Sequence, residues 1–278
     1  MHEELEVHRK FADIAGSKMS YLDVGLGPVL VLGHSYLWAA DMWAPQIREL
    51  SQRYRVIVPE LWGHGQSGAL PAGALTLRDI AQHHLELLDM LGIEKFVIAG
   101  LSVGGMWAVE LALLCPSRVA GLLLMGTFAG SEPAPSQARY LSMLDTVASM
   151  EAVPDTLIEA MLPLFFSTAS LGHRSDLIEC FRTRLREAEQ ENLMVSIVPL
   201  GRMIFQRRDA LTDLSKLSMP ALVITGHEDR SRPPAEGRVM ARILRCDFVE
   251  LLGVGHISTL EAPDEVTQRL RAFLAAVF

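Results

Sequence analysis

Three residues sit in settings that suit acyl-transfer chemistry. The first is Ser102, in Gly100-Leu101-Ser102-Val103-Gly104. An apolar run at 95–99 precedes it, and a helical pattern with Ala108, Leu111 and Ala112 follows. Strand, sharp turn and helix are the context in which G-x-S-x-G is informative. Such a turn strains the serine backbone, and glycines at 100 and 104 let strand and helix approach closely. The hydroxyl then stands exposed beside the helix N-terminus and the amide of Val103, where negative charge is stabilised.

A serine hydroxyl is a weak nucleophile at neutral pH and needs a base. Of the nine histidines, His256 has the right setting. It lies in Gly253-Val254-Gly255-His256, after the last apolar run and before the C-terminal helical pattern. A loop at a strand's carboxyl end reaches the same sheet edge as Ser102. A carboxylate must then orient the imidazole and stabilise its charged form. Gly226-His227-Glu228-Asp229 follows the run at 221–225 and offers Asp229, with Glu228 as its competitor. Asp23, Asp41 and Asp89 fall on other elements. His34 and His64, the latter in a tight glycine turn, are read as loop braces, because one triad needs one base.

The elements that must position these residues alternate. Strand-like runs at 29–32, 55–58, 95–99, 119–125, 221–225 and 246–251 alternate with helical stretches at 75–91, 103–114, 234–244 and 262–277. Continuous apolar runs suit parallel strands buried on both faces, and the alternation implies crossover units. A hairpin of 5–12 and 18–24 around Ala15-Gly16-Ser17 opens the chain. Between Met125 and Ala221 the strand signal stops. Pro133, Pro135, Pro154, Pro163 and Pro199 divide that stretch into short helices rich in Met, Leu and Phe. The expected organisation is a core of 1–127 and 216–278 with a helical lid of 128–215.

Composition narrows the function. The 278 residues are half hydrophobic and 21% charged, which suits one folded domain with an insertion. A net charge of −8 disfavours nucleic acid as a partner. The three cysteines form no CxxC pair, so neither a metal site nor a disulfide framework is expected. Residues 1–10 are polar, and no long apolar span follows, so the expectation is a cytoplasmic protein without a membrane partner, a monomer or homodimer.

Together these residues resemble the α/β-hydrolase superfamily over nearly the whole chain. Its G-H-G-x-S loop stands as Gly63-His64-Gly65-Gln66-Ser67. Its acid segment stands as Pro220–Gly226 followed by Asp229, and its histidine segment as Gly255-His256 with Leu260-Glu261-Ala262-Pro263 behind. The resemblance implies a mostly parallel eight-stranded sheet with a helical cap after strand six. It also implies the amide of Tyr36 as second oxyanion donor beside Val103. The chain departs from the family at Ser35, where glycine is usual, and at Glu60, where aspartate is usual. Within the superfamily it looks most like small esterases, 3-oxoadipate enol-lactonase-like proteins and cofactor-free haloperoxidase relatives. A serine nucleophile sets it apart from haloalkane dehalogenases and epoxide hydrolases.

The expected activity is hydrolysis of a small ester or lactone through an acyl-enzyme on Ser102, without cofactor or metal. His34, Trp38, Met106, Trp107, Met161, Phe165 and Phe166 are the expected substrate-pocket residues. Arg202, Arg207 and Arg208 are read as solvated charge rather than a carboxylate site. Competing readings with the same triad are C–C bond hydrolysis, perhydrolysis and a slow-turnover receptor.

Overall fold

The computed structural model describes residues 5–278. Its eight strands are β1 (Arg9–Ile14), β2 (Ser17–Val24), β3 (Val29–Gly33), β4 (Arg55–Pro59), β5 (Phe96–Leu101), β6 (Val119–Met125), β7 (Ala221–Gly226) and β8 (Asp247–Leu251). They form one sheet in the order β1-β2-β4-β3-β5-β6-β7-β8. β2 pairs antiparallel with β1 and β4, and all the other pairs are parallel. The sheet is flanked by helices, and every residue of β5 is buried, as its unbroken apolar run requires.

The helices that matter are α1 (Ala44–Leu50), α2 (Leu77–Met90), α3 (Val103–Leu114), α4 (Ala134–Met150), α5 (Asp155–Phe165), α6 (Thr168–His173), α7 (Ser175–Arg186), α8 (Val198–Phe205), α9 (Pro234–Leu244) and α10 (Pro263–Val277). A π-helical turn, Leu193–Ile197, runs directly into α8. Helices α4 to α8 all lie between β6 and β7 in the chain, with no strand among the described residues of this helical insertion.

The sheet order places the site. From β3 the chain moves to β4 on one side, then returns to β5 on the other. The carboxyl ends of β3 and β5 therefore flank a topological switch point, where a crevice opens in folds of this kind. Ser102 follows β5, and His34 follows β3.

Three expectations are corrected. The first strand begins at Arg9, not residue 5. Residues 5–8 form a turn closed by the His8 amide on the Leu5 carbonyl at 3.0 Å, and the apolar signal at Leu5 belongs to a buried core side chain. Pro199, the second residue of α8, does not interrupt the run from the π turn, and Pro163 does not divide two helices either. It lies inside α5, two residues before the end, where it removes only one amide donor, and Phe166 still donates to the Leu162 carbonyl at 3.0 Å. Helix α1 adds to the expected elements. It is short, and it is held by Gln46, whose buried amide reaches the Thr259 carbonyl at 3.2 Å and Thr267 Oγ1 at 3.3 Å. Residues 1–4 of the polar N-terminal reading lie outside the described residues.

Candidate active site

The turn after β5 is built by backbone contact. A Cβ on Gly100 would lie 2.2 Å from the Gly104 carbonyl oxygen, and one on Gly104 would lie 2.2 Å from the Gly33 carbonyl oxygen. Strand β5, helix α3 and strand β3 thus touch main chain to main chain. Ser102 between them has φ 59° and ψ −123°. A non-glycine residue held this way carries strain of about 1–3 kcal/mol. Its neighbours hold it there: Ser102 N–H donates to the Met125 carbonyl at 2.9 Å, and its carbonyl accepts from Thr127 Oγ1 at 2.6 Å.

His256 and Asp229 meet beside it. Asp229 Oδ2 lies 2.8 Å from His256 Nδ1, and both side chains are buried. Asp229 Oδ1 accepts from the amides of Ser231 at 2.9 Å and Arg232 at 2.7 Å. With every oxygen committed, the carboxylate cannot rotate. It holds the proton on Nδ1 and leaves His256 Nε2 as the free ring nitrogen. Phe165, the last residue of α5, closes the other side. Its carbonyl accepts from the His256 and Ile257 amides at 3.0 and 3.2 Å, and its ring stands edge-on to the imidazole at 5.5 Å. Glu228 points elsewhere: its carboxylate accepts from the Thr168 amide at 2.8 Å, at the start of α6.

The loop after β3 is braced from both sides. His34 Nε2 accepts from the Leu61 amide at 2.9 Å, and its Nδ1 meets the Ser35 carbonyl at 2.8 Å. His64 Nε2 accepts from the Leu37 amide at 3.1 Å, and its Nδ1 meets the Trp62 carbonyl at 2.9 Å. Burial pushes His34 down to about 4 and His64 down to about 3, so both stay neutral and act as the loop's fixed acceptors. Glu60, fully buried, accepts from the amides of Ala40 at 3.2 Å and Gln66 at 2.9 Å and pairs with Arg9. Ser35 causes no strain, since the positive φ in this loop falls on Leu37 at 66°. The Tyr36 hydroxyl donates to the Ile197 carbonyl at 2.7 Å, which ties the loop to the π turn of the insertion. Among the described residues, the amides of Tyr36 and Val103 have no hydrogen-bond acceptor.

Ser102 and His256 line one cavity. Of the residues read as pocket lining, Met106, Met161 and Phe165 stand on its wall, and Tyr36 joins them. Most of the remaining wall comes from the insertion and is apolar, including Leu144, Val147, Leu157 and Phe205. Ser231 and Arg232 form a polar corner that sequence reasoning missed. Four expected lining residues are elsewhere. His34 is a loop brace. Trp107 is buried beneath β3 and packs on His84 at 4.1 Å. Trp38 stacks on Phe181 at 5.4 Å, and Phe166 meets both rings edge-on, so the three aromatics anchor α7 to the β3 loop.

Behind the polar corner is a buried ionic cluster. Glu132 pairs with Arg232 at 2.5 Å and Arg207 at 2.8 Å, and Glu236 lies 3.5 Å from Arg232. Arg207 is therefore a buried ion partner, not solvated charge. Desolvation raises Glu236 from 4.5 to about 7, against the pull of Arg232. The folded protein holds this proton longer than the unfolded chain. The stability from this group is complete below about pH 4.5 and is lost as pH rises through 7. Glu236→Gln removes that slope. Thermal melts are expected to show the variant gaining on the wild type between pH 5 and pH 8, and a constant gap would refute the assignment.

Among the described residues no helix is long and apolar enough to cross a membrane, and no three His, Cys, Asp or Glu side chains cluster as a metal site. The chain is 25% identical over 254 residues to 3-oxoadipate enol-lactonase 1 of Acinetobacter baylyi, covering 90% of each. A thermophilic esterase from Thermogutta terrifontis superposes with TM-score 0.86 at 29% identity, over 97% of this chain and 98% of its own. The enol-lactonase from Burkholderia xenovorans LB400 gives TM-score 0.85 at 28% identity, over 96% and 100%. The family pattern described as the alpha/beta hydrolase fold matches residues 28–263. The chain belongs to the α/β-hydrolase family, and it is a hydrolase of that family.

Proposed function

We propose that the protein hydrolyses small carboxylic esters or lactones through an acyl-enzyme on Ser102. The observation that carries this reading is the shared cavity: the strained Ser102 and the Asp229-anchored His256 open onto one apolar space. His256 Nε2 takes the Ser102 proton as Oγ attacks the carbonyl. Asp229 stabilises the imidazolium that forms. The amides of Tyr36 and Val103 meet the developing oxyanion, each contributing about 3 kcal/mol when well aimed. His256 then protonates the leaving alcohol and activates water against the acyl-enzyme. Residues 128–215 act as a cap, whose apolar inner wall selects an uncharged acyl group. The lactonases and esterase found by comparison support the reaction class.

A fluorophosphonate probe and a panel of aryl esters and lactones test the proposal. Labelling and turnover by the wild-type protein are expected, with apolar acyl groups preferred over charged ones. Failure to label combined with failure to turn over any panel member would sink the reading. Tight binding without turnover would instead mark a receptor.

A further inference from the structure

Glu132 and Arg207 stand where the chain crosses between the sheet and the helical insertion. Glu132 is among the last residues before α4, and Arg207 follows α8. The two crossings are joined by the Ala210 amide on the Ala129 carbonyl at 2.9 Å. Glu132 is fully buried in its side chain, and its two oxygens are divided. One takes Arg207 Nη1 at 2.8 Å; the other takes Arg232 Nη2 at 2.5 Å. Arg207 has no other ionic partner among the described residues; Nη1 also reaches the Ile204 carbonyl at 3.0 Å, and Nε and Nη2 are buried without an acceptor. Arg232 lines the cavity, and its own amide holds Asp229 Oδ1 at 2.7 Å. A single carboxylate thus sits between the entry to the insertion, the exit from it and the loop that bears Asp229.

We propose that Glu132 is a positioning residue that fixes both crossings of the insertion to the Asp229 loop, coupling closure over the cavity to the orientation of the Asp229–His256 pair. The inference rests on the ester-hydrolase reading above. A buried charge stripped of its partner is strongly destabilising, because the remaining ion keeps its desolvation penalty. Removing Glu132 leaves two arginines opposed by Glu236 alone; Tyr140 also acts on Arg232, and Asp229 acts on Glu236. The Arg232 side chain loses its tether, and the loop amides that lock Asp229 loosen with it. A surplus positive charge near the imidazole also disfavours its protonated form.

The test is a charge-rescue cycle on the full chain, read by steady-state kinetics against pH with an aryl ester. Glu132→Gln is expected to lower kcat about tenfold, a loss of transition-state alignment. KM should change less, and the acid limb of the profile should move down by about half a pH unit. Adding Arg207→Met to Glu132→Gln removes the surplus charge and is expected to return the acid limb to its wild-type position, while kcat recovers only in part because Arg232 stays untethered. An unchanged profile in folded Glu132→Gln would overturn the proposal, as would additive losses in the double variant. Should Glu132→Gln not fold, Arg207→Met alone carries the opposite charge change and is expected to move the acid limb upward. No movement there would also overturn it. Ser102→Ala separates the two readings. If Ser102→Ala stays active, the ester-hydrolase reading fails; if activity needs Ser102 but ignores these charges, only the Glu132 proposal fails.

Discussion

Replacing Ser102 by alanine is expected to lower aryl-ester turnover by about 10³-fold or more while leaving the melting temperature close to that of the wild type. The two halves of that expectation have separate causes. The hydroxyl is the only group lost, and it caps no helix amide, since α3 begins without a side-chain cap. The backbone bonds that hold the strained turn, to Met125 and from Thr127, involve main-chain atoms that alanine retains. Fold and strain therefore survive. The chemistry does not, because the elbow loses its Oγ, and the other serines of the cavity wall stand elsewhere: Ser35 turns its hydroxyl to the Tyr36 carbonyl at 3.4 Å, and Ser231 lies on the Asp229 loop. Residual turnover would come from the two loop amides alone. Parallel melts and progress curves check this, and an alanine variant retaining a tenth of wild-type turnover would remove Ser102 from the mechanism.

The elbow is legible in the residues because several local signals coincide in a short stretch. An unbroken apolar run, two glycines and a helical pattern are enough to describe β5, the turn and α3, and α3 begins and ends where that pattern does. The parallel part of the sheet follows from the same alternation, while the count of eight strands is what the resemblance implies. The Asp229 contact is less legible, since Glu228 and Asp229 are adjacent. The fold separates them by direction: one side chain turns to His256 and the other to α6.

The walls of the cavity are hardly legible. Met106 and Trp107 are neighbours on α3, about 100° apart around its axis, so one faces the cavity while the other packs under β3. Aromatics beside a motif suggest a pocket wall, but Trp38 and Phe166 are consumed in docking α7. The inner surface of the insertion depends on how helices rotate against one another, and each amphipathic pattern leaves that rotation open. The ionic cluster is hidden for a different reason. Glu132 is 75 positions from Arg207 and 100 from Arg232, and no periodicity links loop residues that distant.

Asp229→Asn is expected to be the most damaging conservative change, with kcat falling about 10⁴-fold. The structure fixes which way the new amide turns. Oδ1 accepts two backbone N–H groups, from Ser231 and Arg232, and an amide nitrogen there would face two donors. The asparagine oxygen must take that place, which turns its NH2 toward His256 Nδ1. A donor opposite Nδ1 forces that nitrogen to accept, so the ring proton moves to Nε2. There it faces the cavity and leaves no lone pair to take a proton from Ser102. The fold should tolerate the change, because size and backbone bonds are kept, so the loss belongs to kcat and to the rate of fluorophosphonate labelling together. Glu228→Gln is the matched control: its partner is the Thr168 amide, which a glutamine oxygen still satisfies, and activity should stay at the wild-type level. The outcome that sinks this assignment is Asp229→Asn within tenfold of wild type, or Glu228→Gln reproducing its loss.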